Sequence, residues 1–313
     1  MHLRAPSSPH HILAVSGKLN GKMFTLILGE LRRQSFNVSS VSLSDVLGAS
    51  SYVAGRSDMV VFSDSRDHVA WDSAHAVQRR QDNTNLRMKW KWFTDKAVVK
   101  AWMDTVGLTD FHPKTYPPPP SGWGNATLAA LRAAVPSFPV FVKVAGAHSK
   151  KGVFLATNAA HVRTHLARLE SYSLTGELFL EEAISAQKLE FTVFFSAVDG
   201  NLRGVVCSRS TRSLSLKILS KNRWVGTCDW QTLDMTRRFV RLSRYNGIGC
   251  IDYAVATGGR PMLFDLNARM CGEMSTSTIG PVILNKLFCG LVGCVRAHIN
   301  ASADQLAFSA DRS

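Results

Sequence analysis

The chain has 313 residues, more than the about 100 to 200 of a usual single domain, so more than one folded unit is expected. Hydrophobic residues make up 45% and charged residues 19%, near globular averages, which excludes a disordered, collagenous or coiled-coil chain. The 37 Lys and Arg against 23 Asp and Glu leave a net charge of +14, a field that attracts phosphates, nucleic acid or other anions without choosing among them.

His11 to Ser16 (HILAVS) is a short apolar run that reads as a strand. Gly17 and Gly21 punctuate it as a turn or as an anion seat at a helix start. Phe24, Ile27, Leu28 and Leu31 then recur at helical spacing across Met23 to Arg33. Asn37 to Leu43 alternates weakly and Asp58 to Ser63 (DMVVFS) is a compact buried-type strand, so residues 1–95 are expected to form a small βαβ-type α/β domain. Thr94 to Val106 places Val98, Val99, Trp102 and Val106 on one helical face, with Thr94 as the N-cap. Tyr116 to Gly124 (YPPPPSGWG) cannot be helix interior and reads as a stiff linker, or alternatively as a proline-rich ligand for a partner.

Phe138 to Val144 and Val153 to Thr157 follow as strands around a glycine-containing turn, then a helix over His161 to Glu170. Glu177 to Glu182 and Leu189 to Val198 are strands again, and Asp199, Gly200 and Asn201 turn tightly into Leu202 to Ser208. Asp234 to Arg244 is helical, and Ile248 to Ala256 pairs with Met262 to Leu266 across Thr257, Gly258 and Gly259. The six cysteines, Cys207, Cys228, Cys250, Cys271, Cys289 and Cys294, contain no C-x-x-C and are expected as reduced core thiols. The apolar run near the start, Ile12 to Val15, is too short for a signal peptide, and Pro281 to Val295 is too short and too interrupted to span a bilayer. A cytoplasmic protein without a membrane segment is the expectation.

Two segments carry chemistry. Val142 to Val153 (VKVAGAHSKKGV) sets a lysine at a strand end before a turn with further lysines, which is either a concave donor site for a polyphosphate or an ordinary cationic hairpin. In Ile248 to Gly272, Asp252 lies on one strand of a hairpin while Asp265 and Asn267, two apart on the other, share a face. All three are hard oxygen donors of the kind magnesium takes beside phosphate oxygens. Asp265 between Phe264 and Leu266 needs a partner, and the candidates are a metal or Arg269 in a structural ion pair.

These segments together, from FTDKAVVKAWMDTVGL through FPVFVKVAGAHSKKGV and ELFLEEAISAQKLEFTVFF to IDYAVATGGRPMLFDLNARMCG, resemble the ATP-grasp superfamily of carboxylate–amine ligases over Thr94 to Gly272. The resemblance implies an α/β (α+β) fold in which the N-terminal domain precedes two α+β lobes that clasp the nucleotide. The small lobe would span 96–184, with a phosphate lid loop at 145–152, and the large lobe with the metal site 185–313. Carried over, it assigns Lys96 and Lys143 to the ATP phosphates, and Ser149, Lys150 and Gly152 to the lid. Glu181, Glu182, Ala183 and Ile184 would form the hinge that reads the adenine edge, with Glu190 on the ribose and Phe264 beside the nucleotide. Asp252, Asp265 and Asn267 would hold Mg2+, or Mn2+ in its place, and Arg269 would face phosphate or a substrate carboxylate. Asp265 stands where a glutamate is common, and Cys250 where some such ligases carry an arginine.

The implied activity is an ATP- and Mg2+-dependent ligase that joins the carboxylate of an amino acid or small peptide to an amine through an acyl phosphate. Arg209 or Arg212, from the basic stretch that runs from Arg203 to Arg223, would hold the triphosphate or the intermediate, unless that stretch is solvated surface. The alternatives are a kinase of the same fold acting on a small-molecule acceptor, and a noncatalytic nucleotide-binding basic module. Small-molecule carboxylate and amine partners are expected. Nucleic acid is not, because no stacked-aromatic RNA signature, zinc-finger or basic-zipper pattern occurs.

Overall fold

A computed structural model describes residues 12–17, 21–42, 44–45, 59–62, 95–145, 152–171, 178–184, 189–198, 200–212, 219–245, 247–256 and 258–292. In chain order, β1 (Ile12–Ser16), α1 (Lys22–Arg33), β2 (Val38–Ser42) and β3 (Met59–Phe62) come first. They are followed by α2 (Lys96–Thr105), β4 (Thr115–Tyr116), α3 (Leu128–Ala134), β5 (Val140–Val144), β6 (Val153–Ala156), α4 (Ala159–Ser171) and β7 (Leu178–Glu182). Last come β8 (Leu189–Val198), β9 (Asn201–Arg212), β10 (Leu219–Gly226), α5 (Trp230–Ser243), β11 (Gly247–Val255), β12 (Pro261–Asn267) and α6 (Gly280–Val292). The result is a mixed α/β chain built on three sheets.

The first sheet has order β2-β1-β3 with both pairings parallel, and α1 supplies the crossover that a parallel β1–β2 pair requires. Phe24, Ile27, Leu28 and Leu31 of α1 are buried as their spacing requires. The second sheet is antiparallel, β4-β7-β5-β6, with α3 and α4 on it through Leu131, Val162, Leu166 and Leu169. The third, β10-β9-β8-β11-β12, is also antiparallel. One face packs Val193, Phe195, Ile251 and Tyr253 against Phe239 of α5 and Met103 of α2. The other packs Phe194 and Val206 against Leu284 and Phe288 of α6, and the same core continues into Phe24 and Ile27 of α1. Each such fully buried Leu, Ile or Phe contributes about 1.5 to 3 kcal/mol.

Several elements differ from the sequence expectation. The helix expected from Thr94 is capped instead by Asp95, whose Oδ1 accepts the amides of Ala97 and Val98 at 3.0 and 3.1 Å. The proline run is no linker standing clear of the fold: Tyr116 pairs with β7, and Trp123 is buried in the core of the second sheet. α5 starts a turn early because Asp229 accepts from Thr232 N–H at 2.9 Å. The apolar stretch from Pro281, too short and interrupted to span a bilayer, forms most of α6, and among the described residues no helix is long and apolar enough to cross a membrane. The cysteines are corrected too. Antiparallel strands and their return loops bring Cys207 to Cys228 and Cys250 to Cys271, each 21 apart in sequence, and both pairs are disulfides rather than thiols.

Candidate active site

The β11–β12 register sets Asp252 directly opposite Asp265 and Cys250 opposite Asn267, and the β8 register adds Thr192 on the other side of Asp252. Directly paired residues share a face, so the two carboxylates and the amide form one oxygen-rich patch. Thr192 Oγ1 donates to Asp252 Oδ1 at 2.7 Å, which aims that carboxylate. Asp265 does not pair with Arg269. Its partner is Lys96 at 3.2 Å, reaching across from the first turn of α2, while Arg269 donates to Asn267 Oδ1 at 3.2 Å and to Met270 O at 2.8 Å. Among the described residues no three His, Cys, Asp or Glu side chains converge as a metal cluster. The donor set here is two carboxylates and one amide oxygen, all hard ligands and all partly exposed, which fits magnesium better than a softer transition metal.

Lys143 enters from the neighbouring sheet. It sits on β5 opposite Phe179, with Glu181 diagonal to it on β7, and its ammonium contacts Glu181. Lys100, one helical turn beyond Lys96, contacts the second oxygen of the same carboxylate. Lys100, Lys143 and Glu181 are buried, at 1%, 5% and 1% exposure. Burial pushes the Lys143 ammonium down to about 7, with Lys96 adding to the fall and Asp265 opposing it. Lys100 is pushed well below the usual lysine range, again chiefly by burial and then by Lys143 and Lys96. The Lys96 amide donates to Ala145 O at 3.3 Å, tying the start of α2 to the end of β5, so one helix end meets both sheets. A crevice beside it is lined by Lys96, Lys100, Phe264 and Asp265.

No protein-family model matches the chain, and no curated protein matches its sequence. Solved structures do match in shape. D-cycloserine synthetase superposes with a TM-score of 0.58 at 17% identity, covering 90% of this chain and 99% of that one. The L-amino acid ligase from Bacillus licheniformis gives 0.58 at 14%, over 91% and 75%. The D-alanine–D-alanine ligase from Bacillus anthracis complexed with ATP gives 0.56 at 12%, over 92% and 97%. All three are ATP-grasp carboxylate–amine ligases. The fold is the ATP-grasp fold.

Within that ATP-grasp fold, Lys96, Phe264 and Asp265 of the expected residues line the crevice, Asp252 pairs with Asp265 from the neighbouring strand, Asn267 lies two residues beyond Asp265, and Lys143 contacts Glu181, which Lys100 also contacts. Glu181, expected to serve the hinge through its backbone, lies in β7 between β4 and β5, and its side chain turns inward to the lysines. Glu182 is exposed, and the amides of Glu182 and Ala183 already donate to Lys114 O and Pro139 O, at 2.8 and 3.1 Å. Glu190 lies opposite Ser210 in the β8–β9 register, two positions from Thr192. Gly152 holds a left-handed φ of 87° where the chain enters β6, while Ser149 and Lys150 lie outside the described residues. Arg209 is not gathered in. It pairs with Phe191 and Trp224, one step from Ser208, so alternation turns it to the sheet face opposite Asp252 and Thr192. Arg212 lies opposite Leu219 near the sheet's far edge. Sequence reasoning missed Lys100 and Thr192. Lys100 follows Val99 on the buried stripe of α2, a position where a lysine demands a carboxylate; Thr192 is found only through strand register.

Proposed function

We propose that this chain is an ATP- and Mg2+-dependent ligase that forms an amide bond between the carboxylate of an amino acid or small peptide and an amine, releasing ADP and phosphate. The observation that carries this is the contact of Lys96 with Asp265 at a crevice of an ATP-grasp fold, one of whose structural neighbours was solved with ATP, with Asp252 and Asn267 beside Asp265 in the hairpin and Lys143 in the adjoining lysine–Glu181 cluster. Lys96 and Lys143 supply positive charge to the phosphates, where charge moves as the γ-phosphoryl group transfers. Ile184, the hinge residue beyond the two occupied amides, offers its N–H to the adenine edge. Asp252, Asp265 and Asn267 would hold magnesium, which when bound neutralises phosphate charge. Arg269, held by Asn267 and Met270, sits beside that patch to receive phosphate or a substrate carboxylate. In the reaction, a carboxylate oxygen attacks the γ-phosphorus and ADP leaves; the amine then attacks the acyl carbon and phosphate leaves.

The test is release of ADP and phosphate across pools of amino acids, peptides and hydroxy acids, with hydroxylamine as a trap. Release is expected to require both a carboxylate and an amine, to give hydroxamate when hydroxylamine replaces the amine, and to fall at least about a hundredfold in Asp265→Asn. Turnover with a hydroxyl acceptor and no hydroxamate would replace the ligase by a kinase. Full turnover in Asp265→Asn would remove Asp265 from the site.

A further inference from the structure

The reaction proposed above uses Lys143 but leaves Lys100 without a task. Lys100 borders the crevice but is only 1% exposed, and its ammonium is engaged by Glu181. Its ammonium contacts Glu181 Oε2 while Lys143 contacts Oε1, so two ammonium groups share one carboxylate in a buried cluster. Asp265, the next acid towards the cleft, is engaged by Lys96 at 3.2 Å. At Glu181 itself two ammonium groups meet one carboxylate, and the positive charge left over there lies at the cleft end of β5, two residues before Ala145. A buried carboxylate with a single ammonium partner forms a neutral pair, whereas one with two partners leaves a positive charge over. Burial pushes both ammoniums down, and the carboxylate that both of them contact is Glu181.

We propose that Lys100 is the counter-ion of Glu181 that leaves the charge of Lys143 available to the nucleotide phosphates, and that it thereby sets nucleotide affinity as a positioning residue. The inference rests on the nucleotide site proposed above. Without Lys100, Glu181 pairs with Lys143 alone and competes with phosphate for its ammonium. Removing the charge of Glu181 as well should release Lys143 again, an outcome that a purely structural role for Lys100 does not produce.

The test measures MgATP affinity by calorimetry, and kcat and KM for ATP, on the full chain. Lys100→Met should weaken ATP binding about tenfold or more and raise KM with little change in kcat at saturating ATP. Lys100→Met with Glu181→Gln should recover to within about threefold of the parent, and Lys100→Arg, which keeps the charge, should stay near it. Should Lys100→Met fail to fold, the double variant decides, because it restores the single net positive charge of the parent cluster on Lys143. ATP binding in Lys100→Met equal to the parent, or a double variant no tighter than Lys100→Met or more than about tenfold weaker than the parent, overturns the inference. A parent chain that binds no ATP sinks the nucleotide site itself and this inference with it, whereas the variant outcomes overturn the inference alone.

Discussion

Lys143 works at the edge of its charged range. On β5 it faces the Phe141 ring at 5.5 Å, Glu181 of β7, Lys96 and Lys100 of α2, and Asp265 of β12. Burial, followed by Lys96, brings its ammonium down to about 7 against the opposing pull of Asp265. A phosphate group favours the protonated form, so binding takes up a proton once the free amine has begun to lose its own. ATP affinity is therefore expected to be flat below about pH 7 and to weaken above it by up to about tenfold per pH unit. Lys143→Arg should flatten that upper limb, because a guanidinium stays charged. Calorimetry in buffers of different ionisation heat reads both the affinity and the proton; a profile of the parent that stays flat to pH 9 would remove Lys143 from the phosphates.

At the scale of elements, the large sheet is held by backbone-close packing on one face and by two bridges. α6 rests directly on β9: a Cβ at Gly290 would come within 2.5 Å of Arg203 O, and one at Gly204 within 2.6 Å of Lys286 O. Gly290→Ala must push helix and strand apart and should cost about 1 to 3 kcal/mol, read as a lower denaturation midpoint with an unchanged slope. The bridges Cys207–Cys228 and Cys250–Cys271 each close a loop of 21 in sequence separation, worth about 3 kcal/mol apiece in chain entropy. Such bonds persist in oxidising compartments, which sets them against the cytoplasmic expectation. Peptide mapping without reduction should recover both linked pairs, and reduction should lower the melting temperature. All four recovered as alkylated thiols from the purified chain would return them to the reduced state read from the sequence. The second bridge also lies at the site, since Cys250 is opposite Asn267 and Cys271 follows Arg269 by two residues.

Across the whole molecule, α2 joins the lobes: Lys96 reaches the large sheet at Asp265 and Lys100 the small sheet at Glu181. A nucleotide seated between them should couple the sheets, so MgATP at about 100 times its Kd should add about 2.7 kcal/mol of stability, read as a rise in melting temperature that Lys143→Ala abolishes. An equal rise in that variant would place the nucleotide elsewhere. Much of this architecture was legible in the chain. Strand alternation aligned Asp265 with Asn267, glycines marked both hairpins, and helical spacing marked α1. Less legible were β10, α3 and α6, whose sequences lack strong polar–apolar alternation: α6 is apolar over most of its length and takes its place only because the N-terminal unit covers its other side. That Lys96 rather than the alternative Arg269 contacts Asp265, and that Arg209 lies on the other sheet face, were hidden for a shared reason: side-chain neighbours depend on register and on a distant helix rather than on spacing.

Local chemistry therefore determined what sequence alone could determine: which segments are strands or helices, and which carry the lysines and hard oxygen donors on which the family resemblance rests. Those properties follow from periodicity and from residue type, both of which are local. The tertiary structure decided that Lys96 and not Arg269 meets Asp265, that Glu181 faces two lysines rather than solvent, that Arg209 turns away, and that four cysteines are joined. Each of these depends on residues far apart in the chain being brought within a few ångströms, and burial then sets how strongly the charges among them interact.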